Sequence, residues 1–348
     1  HVEEGEDDDS PYFNLKEHLI EELAKEKKDS FDIVAFTHSD DDHIANSTTF
    51  FELNHDKKYK GKGRIKIKEL WVPAAMILEE ATNEDRDSEF VIWRQEARYR
   101  LKVGKGIQVF SKPDSLKEWL KREGLSLKDR KHLITDAGRL ANGFNLSSDE
   151  VEFFCHSPFI KHCDEGDDLR NSAALIFQVR FEVGGVRTDY LATGDTTVEV
   201  LEDIIEITKY HKNMNRLEWD IFNIPHHCSY RALSEEKGKK ITIPTKLVEE
   251  LLLLGKPDSY LISSSQPIKD NEEAYKQKLP PHIQAKKCYE KYLKEVGGRD
   301  ILITMETPNE KEPKPIVFEI DGNGLSEHSK TVSATVSITT KSAPRAGK

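Results

Sequence analysis

Long apolar runs are missing from this chain. Nowhere do its 348 residues, 36% of them hydrophobic, approach the roughly 20 consecutive apolar residues that a membrane-spanning helix needs. Net positive charge is missing too: the formal charge is −11, which repels polyanions at long range. An overall electrostatic preference for nucleic acid or an acidic membrane surface is therefore not indicated, and any phosphate-bearing substrate has to be held locally. Cysteine is scarce, and Cys155, Cys163, Cys228 and Cys288 form no Cys-x-x-Cys pair, a pattern that suits reduced thiols in a cytoplasm better than a disulfide framework. Neither a secretory signal nor an internal repeat is found, so a soluble cytoplasmic protein that makes no use of a membrane is expected. An initiating methionine is absent as well. The chain opens on His1 and the acidic run 3–9, read as a solvated segment without function, and upstream sequence is expected to be missing.

What is present suffices for one large α/β domain or two modest ones. Asn14 is placed to cap a helix whose Leu15, Leu19, Ile20 and Leu23 form one apolar stripe. Residues 31–37 (FDIVAFT) form a nearly continuous apolar run, the pattern of a strand covered on both faces, and they deliver His38 at the C-terminal end. A second buried strand is predicted over 67–72, a charged helix over 87–101, and a mixed stretch over 111–148 reads as an insertion that either covers a site or decorates the surface. Strands follow at 151–154, 173–183 and 186–192, the last two joined by Gly184-Gly185, a strong hairpin signal because primed turns require positive φ. Helices at 198–210, 247–254 and 283–296 alternate with strands at 219–224, 258–262 and 301–305, and a strand at 316–320 closes the fold. The domain thus spans 1–324. Residues 325–348 read as a flexible Ser/Thr/Lys-rich tail whose 331–339 alternation could add an edge strand.

Three segments carry the chemistry. His38-Ser39-Asp40-Asp41-Asp42-His43 packs two histidines and three aspartates into six residues, and clustered carboxylates repel one another unless a cation neutralises them. Short aspartate runs are also common in solvated turns. Leu191-Ala192-Thr193-Gly194-Asp195 is an apolar strand ending in a glycine that permits a sharp turn, then a carboxylate that could bridge ions or cap the next helix. In 221–229 (IFNIPHHCS) another apolar strand empties into His226 and His227. Three such strand ends raise the joint case for a metal site well above any one of them.

Together these segments resemble the metallo-β-lactamase superfamily. His38-Ser39-Asp40-Asp41-Asp42-His43 is similar to its His-x-His-x-Asp-His signature, Thr193-Gly194-Asp195 to its bridging aspartate, and Pro225-His226-His227-Cys228-Ser229 to its last histidine motif. The soluble hydrolase domain of ComEC-type competence proteins is the branch most resembled. Asn171-Ser172-Ala173-Ala174-Leu175-Ile176, Ser263-Ser264-Ser265 and Pro281-His282 are looser matches to that branch, and the resemblance covers about 31–296. It implies a four-layer αββα sandwich whose usual N-terminal strands do not precede the first cluster in this chain.

The resemblance also implies two divalent ions, Zn²⁺ or Mn²⁺. His38, Asp40 and His156 would serve one; Asp42, His43 and a histidine of the 226/227 pair, His226 by preference, would serve the other, with Asp195 bridging. Asp42 or Asp195 would orient the attacking hydroxide, and His282 could protonate the leaving group. Asp40 stands where the second histidine usually sits, and its harder oxygen ligand tilts the preference toward Mn²⁺ or a mixed site. Cys228 replaces the usual glycine, as a narrowed loop, a soft ligand or a packed thiol. The implied activity is hydrolysis of phosphodiesters in single-stranded nucleic acid or nucleotides. The rival readings are a carbon-ester, thioester or lactam hydrolase, and a silent binding module with an impaired metal site.

Overall fold

The computed structural model describes residues 14–61, 63–80, 88–164 and 169–328; the acidic run 3–9 and the alternation at 331–339 lie outside the described residues. The first sheet is parallel throughout and comprises β1 (Ser30–Ala35), β2 (Phe51–Glu52), β3 (Ile65–Pro73), β4 (Ile107–Phe110) and β5 (Ile134–Thr135). Its order is β1-β3-β4-β5, with β2 pairing to the start of β3. The second sheet comprises β6 (Arg139–Leu140), β7 (Val151–Ser157), β8 (Ile176–Val183), β9 (Val186–Ala192), β10 (Trp219–Asn223), β11 (Gly255–Ser263) and β12 (Asp300–Ile303), in the order β12-β11-β10-β9-β8-β7-β6. From β9 to β12 neighbours are parallel; from β6 to β9 they are antiparallel. Protein chains with this mixture are α/β, and no helix among the described residues is long and apolar enough to cross a membrane.

Local sequence accounts for most of these elements. Asn14 accepts a hydrogen bond from the Glu17 amide and starts the helix Leu15–Lys25. All four residues of β4 are buried, as a parallel strand covered on both faces requires. Gly184 and Gly185 adopt φ of +58° and +83° and turn β8 directly into β9. The stretch 111–148 supplies β5 and then β6, an edge strand for each sheet in turn, and its helix Asp114–Arg122 buries Leu116, Trp119 and Leu120. Beyond the main sheets, β13 (Phe318–Asp321) and β14 (Gly324–Glu327) form a hairpin of their own, which reaches into the segment that composition assigns to the tail.

Three buried clusters define the packing. In the first, Leu70 and Val72 of β3 and Val109 of β4 meet Trp93, Ala97 and Leu101 of the helix Glu89–Val103. In the second, Leu191, Phe222 and Leu261 of the second sheet meet Leu201 and Ile205 of the helix Val198–Tyr210 and Tyr289 of the helix Ile283–Glu295. The third joins the sheets: Trp71 of β3 and Phe110 of β4 pack on Phe177 of β8, with ring centroids 5.7 and 5.0 Å apart. Leu70 and Val72 point one way and Trp71 the other because side chains alternate along a strand, so β3 serves a helix core and the intersheet core at once.

One buried charge is fixed tightly within the first core. Glu96 is fully buried on the helix Glu89–Val103 and accepts from the Asn54 and His55 amides at 2.7 and 2.9 Å, from Arg100 Nε at 2.6 Å, and lies 3.0 Å from His55 Nδ1. Burial alone would raise its pKa, but the bonds from His55 and Arg100 outweigh it and hold the carboxyl at about 2. A depressed folded pKa stabilises above the unfolded value of 4.5 and loses that contribution as pH falls toward 2. Glu96→Gln is expected to cost about 3 kcal/mol at pH 7, with the deficit shrinking below pH 4.5. Urea unfolding of both proteins from pH 7 to pH 3 checks this, and equal midpoints at pH 7 would refute it.

Candidate metal centre

Three strand ends meet at one place. After β1 the chain passes through Phe36 and Thr37 to His38, and a single helical turn, Asp41–Ile44, then opens with the Asp40 main-chain carbonyl accepting from the His43 amide at 2.9 Å. In the second sheet β9 and β10 are parallel neighbours, with Tyr190 beside Ile221 and Leu191 beside Phe222. Parallel neighbours deliver their C-terminal loops to the same edge of the sheet, which brings Asp195 next to the 226–228 segment. Gly194 holds the loops together. Its carbonyl accepts from the His226 amide at 3.0 Å, its φ is +54°, and a Cβ there would lie 3.2 Å from Thr37 Cβ. Thr37 in turn accepts from the Leu175 amide at 2.9 Å, which ties the first sheet's loop to the start of β8.

His226, His227 and Cys228 all occupy the left-handed region, at φ of +50°, +52° and +66°, a conformation that L-residues seldom take in succession. The tight turn sends the three side chains different ways. The His226 and His227 rings lie 6.3 Å apart and nearly perpendicular, while Cys228 is fully buried in the second core. His227 Nδ1 donates to the Ser264 carbonyl, just past β11, at 2.7 Å, which leaves Nε2 directed at carboxylates. That nitrogen is 3.1 Å from Asp42 Oδ2 and 3.2 Å from Asp195 Oδ2. His43 Nε2 lies 3.2 Å from Asp195 Oδ1 and 4.0 Å from Asp42 Oδ2.

One ligand atom each from Asp42, His43, Asp195 and His227 thus falls within 4.8 Å of all the others. Asp195 and Asp42 push the His227 pKa up to about 10, and His227 and His43 hold the buried Asp195 carboxyl far below the usual range despite its desolvation. The buried His43 Nε2 makes no hydrogen bond of proper geometry. Two imidazoles and two carboxylates converging in this way are a donor set for Zn²⁺ or Mn²⁺, and the residues present fit a divalent cation.

The remaining candidates are placed differently. His38 is buried with its ring 4.1 Å from that of His43; its Nδ1 is 2.9 Å from Thr37 Oγ1 and its Nε2 is 3.5 Å from Asp40 Oδ2. Asp40 faces Arg170, whose Nη1 lies 3.0 Å from Oδ1. His156, expected beside His38 and Asp40, instead points its Nε2 at the Arg216 carbonyl at 2.8 Å, in a 280 Å³ cavity with Phe154, Phe159 and His211, and burial lowers its pKa to about 4. His227 rather than the preferred His226 enters the four-residue cluster, because the Ser264 carbonyl fixes its ring.

His282 takes no part in that cluster. Its amide donates to the Cys228 carbonyl at 3.0 Å, its Nε2 bonds the Lys278 carbonyl at 3.2 Å, and its ring packs on Tyr230, so it braces the histidine turn. Cys228 is a packed thiol with its pKa raised by burial, and it does not act as a soft ligand. Sequence reasoning misses Arg170 and Glu79, and it singles out Ser263-Ser264-Ser265 without the role of the Ser264 carbonyl. Their partners lie 130, 91 and 37 residues away in the chain, beyond the reach of any local motif.

No family model matches the sequence, and no curated protein matches it. A similar solved structure is the crystal structure of "Putative metal-dependent hydrolase from Parabacteroides distasonis ATCC 8503", 11% identical over 67% of this chain and 74% of that chain. The TM-score is 0.27, at which the likeness carries no argument.

The geometry separates two adjacent histidines. His227→Ala is expected to lower the affinity for Zn²⁺ or Mn²⁺ at least about tenfold, and His226→Ala to change it by less than about threefold. Gly194→Ala, which places a Cβ against Thr37 at positive φ, is expected to weaken binding about tenfold while the far-ultraviolet spectrum stays unchanged. Calorimetric titration with each metal decides, and a larger loss in His226→Ala than in His227→Ala would reverse the assignment.

Proposed function

We propose that this chain is a metal-dependent hydrolase of the metallo-β-lactamase type, acting on phosphodiesters in single-stranded nucleic acid or nucleotides. The observation that carries the reading is the convergence of Asp42, His43, Asp195 and His227 from three separate strand ends. The order of the cores supports it, since helices, parallel sheet, mixed sheet and helices succeed one another as an αββα arrangement would. A divalent cation bound by these four side chains supplies Lewis-acid polarisation and lowers the pKa of the attacking water.

The two carboxylates divide the remaining work by exposure. Asp195, whose side chain is 7% exposed, holds one histidine with each oxygen and keeps both rings aimed. Asp42, at 53%, is the carboxylate on the open side, placed to orient the attacking water beside the cation it would help to hold. The Ser264 carbonyl keeps the proton on His227 Nδ1, so Nε2 is the nitrogen that would give up its proton and turn its lone pair to a cation.

Assay of the metal-loaded protein against single-stranded oligonucleotides, cyclic nucleotides, simple phosphodiesters, carbon esters and a lactam tests the reading. Chelator-sensitive phosphodiester hydrolysis is expected, with Asp195→Asn and His43→Ala each lowering kcat at least about 10³-fold in folded protein. Turnover of carbon esters alone would replace the substrate class. Less than one metal bound per chain, with no turnover, would favour a silent binding module.

A further inference from the structure

We infer that the Arg170 guanidinium takes the place of a second metal ion: the centre holds one divalent cation, and Arg170 receives an anionic oxygen of the substrate beside it. The inference rests on the metal-dependent hydrolase reading and deepens it. Asp40 and His38 are the only members of the implied second ligand set that lie together, since the His156 Nε2 is committed to the Arg216 carbonyl. Asp195, the implied bridge, turns one oxygen to His43 and the other to His227, so two side chains remain, short of the three or four that a protein divalent site uses. Asp40 already has a cation, with Oδ1 3.0 Å from Arg170 Nη1, so a metal on Oδ2 would sit across one carboxylate from a like charge.

The arginine is held on three sides. Its Nε and Nη2 reach Glu79 Oε1 at 2.9 and 2.5 Å, Glu79 Oε2 accepts from Ser39 Oγ at 3.1 Å, and the guanidinium lies over the Phe90 ring at 4.8 Å. Ser39 stands between His38 and Asp40 in the chain, so the network is built into the first motif itself. A guanidinium has five N–H donors, and among the described residues these contacts engage three of them, Nε and one on each Nη. The side chain is 31% exposed, and its delocalised, planar cation is of the kind that suits a phosphate oxyanion.

Two measurements test this. Wild-type protein equilibrated with Zn²⁺ or Mn²⁺ and freed of excess is expected to carry one ion per chain by elemental analysis. Inorganic phosphate, titrated calorimetrically into the metal-loaded protein, is expected to bind at least about tenfold more weakly to Arg170→Met, with Arg170→Lys recovering part of the loss. The affinity for the single metal should change by less than about threefold in both variants, which separates loss of an anion contact from collapse of the centre. Two ions per wild-type chain, or phosphate binding unchanged in Arg170→Met, would overturn the inference while leaving the hydrolase reading intact. No bound metal in the wild type would overturn both.

Discussion

The close approach of Gly194 to Thr37 is the constraint on which the centre depends. One of these residues follows a strand of the mixed sheet and the other follows a strand of the parallel sheet, and neither sheet alone owns a complete set of donors. Asp42 and His43 come from one, Asp195 and His227 from the other. Their separation is therefore set by how the two sheets are stacked, through Trp71, Phe110 and Phe177, and is locked locally by a residue with no Cβ. Packing of the intersheet core therefore sets the frame within which the donor loops meet.

Charge is concentrated where the loops meet. Asp40, Asp42, Asp195 and Glu79 gather on a chain that is already strongly acidic, and each has a specific counterpart. Histidines face Asp42 and Asp195, while an arginine faces Asp40 and Glu79. The half-exposed Asp42 and the buried Asp195 differ in what they can do although they share a partner in His227. Burial turns one into a fixed strut and exposure leaves the other open to the solvent side.

Legibility followed the range of the interactions. The Asn14 cap and the Gly184-Gly185 turn depend on neighbours in the chain and could be read residue by residue, whereas β4 was not expected, and β1, expected to be covered on both faces, exposes Asp32 and Ala35. The three ligand-bearing strand ends were legible for the same reason, since an apolar run that stops at a polar cluster is a local pattern. The choice between His226 and His227 was not, because the Ser264 carbonyl that decides it comes from a different strand. Nor were β5 and β6, two residues each, whose existence depends on open sheet edges that composition cannot reveal. Arg170 sat beside a segment the motifs had already drawn attention to, but its role follows from Asp40, 130 residues earlier.

The burial of Cys228 reaches beyond packing. All four cysteines are sequestered and outside disulfides, and desolvation keeps the Cys228 sulfur in its protonated, unreactive form although it directly follows His227. Peroxide and alkylating reagents act on an accessible thiolate, and this sulfur is neither exposed nor ionised. Cys228 thus lies one residue from the centre with its sulfur turned into the second core, and its modification requires that this packing open.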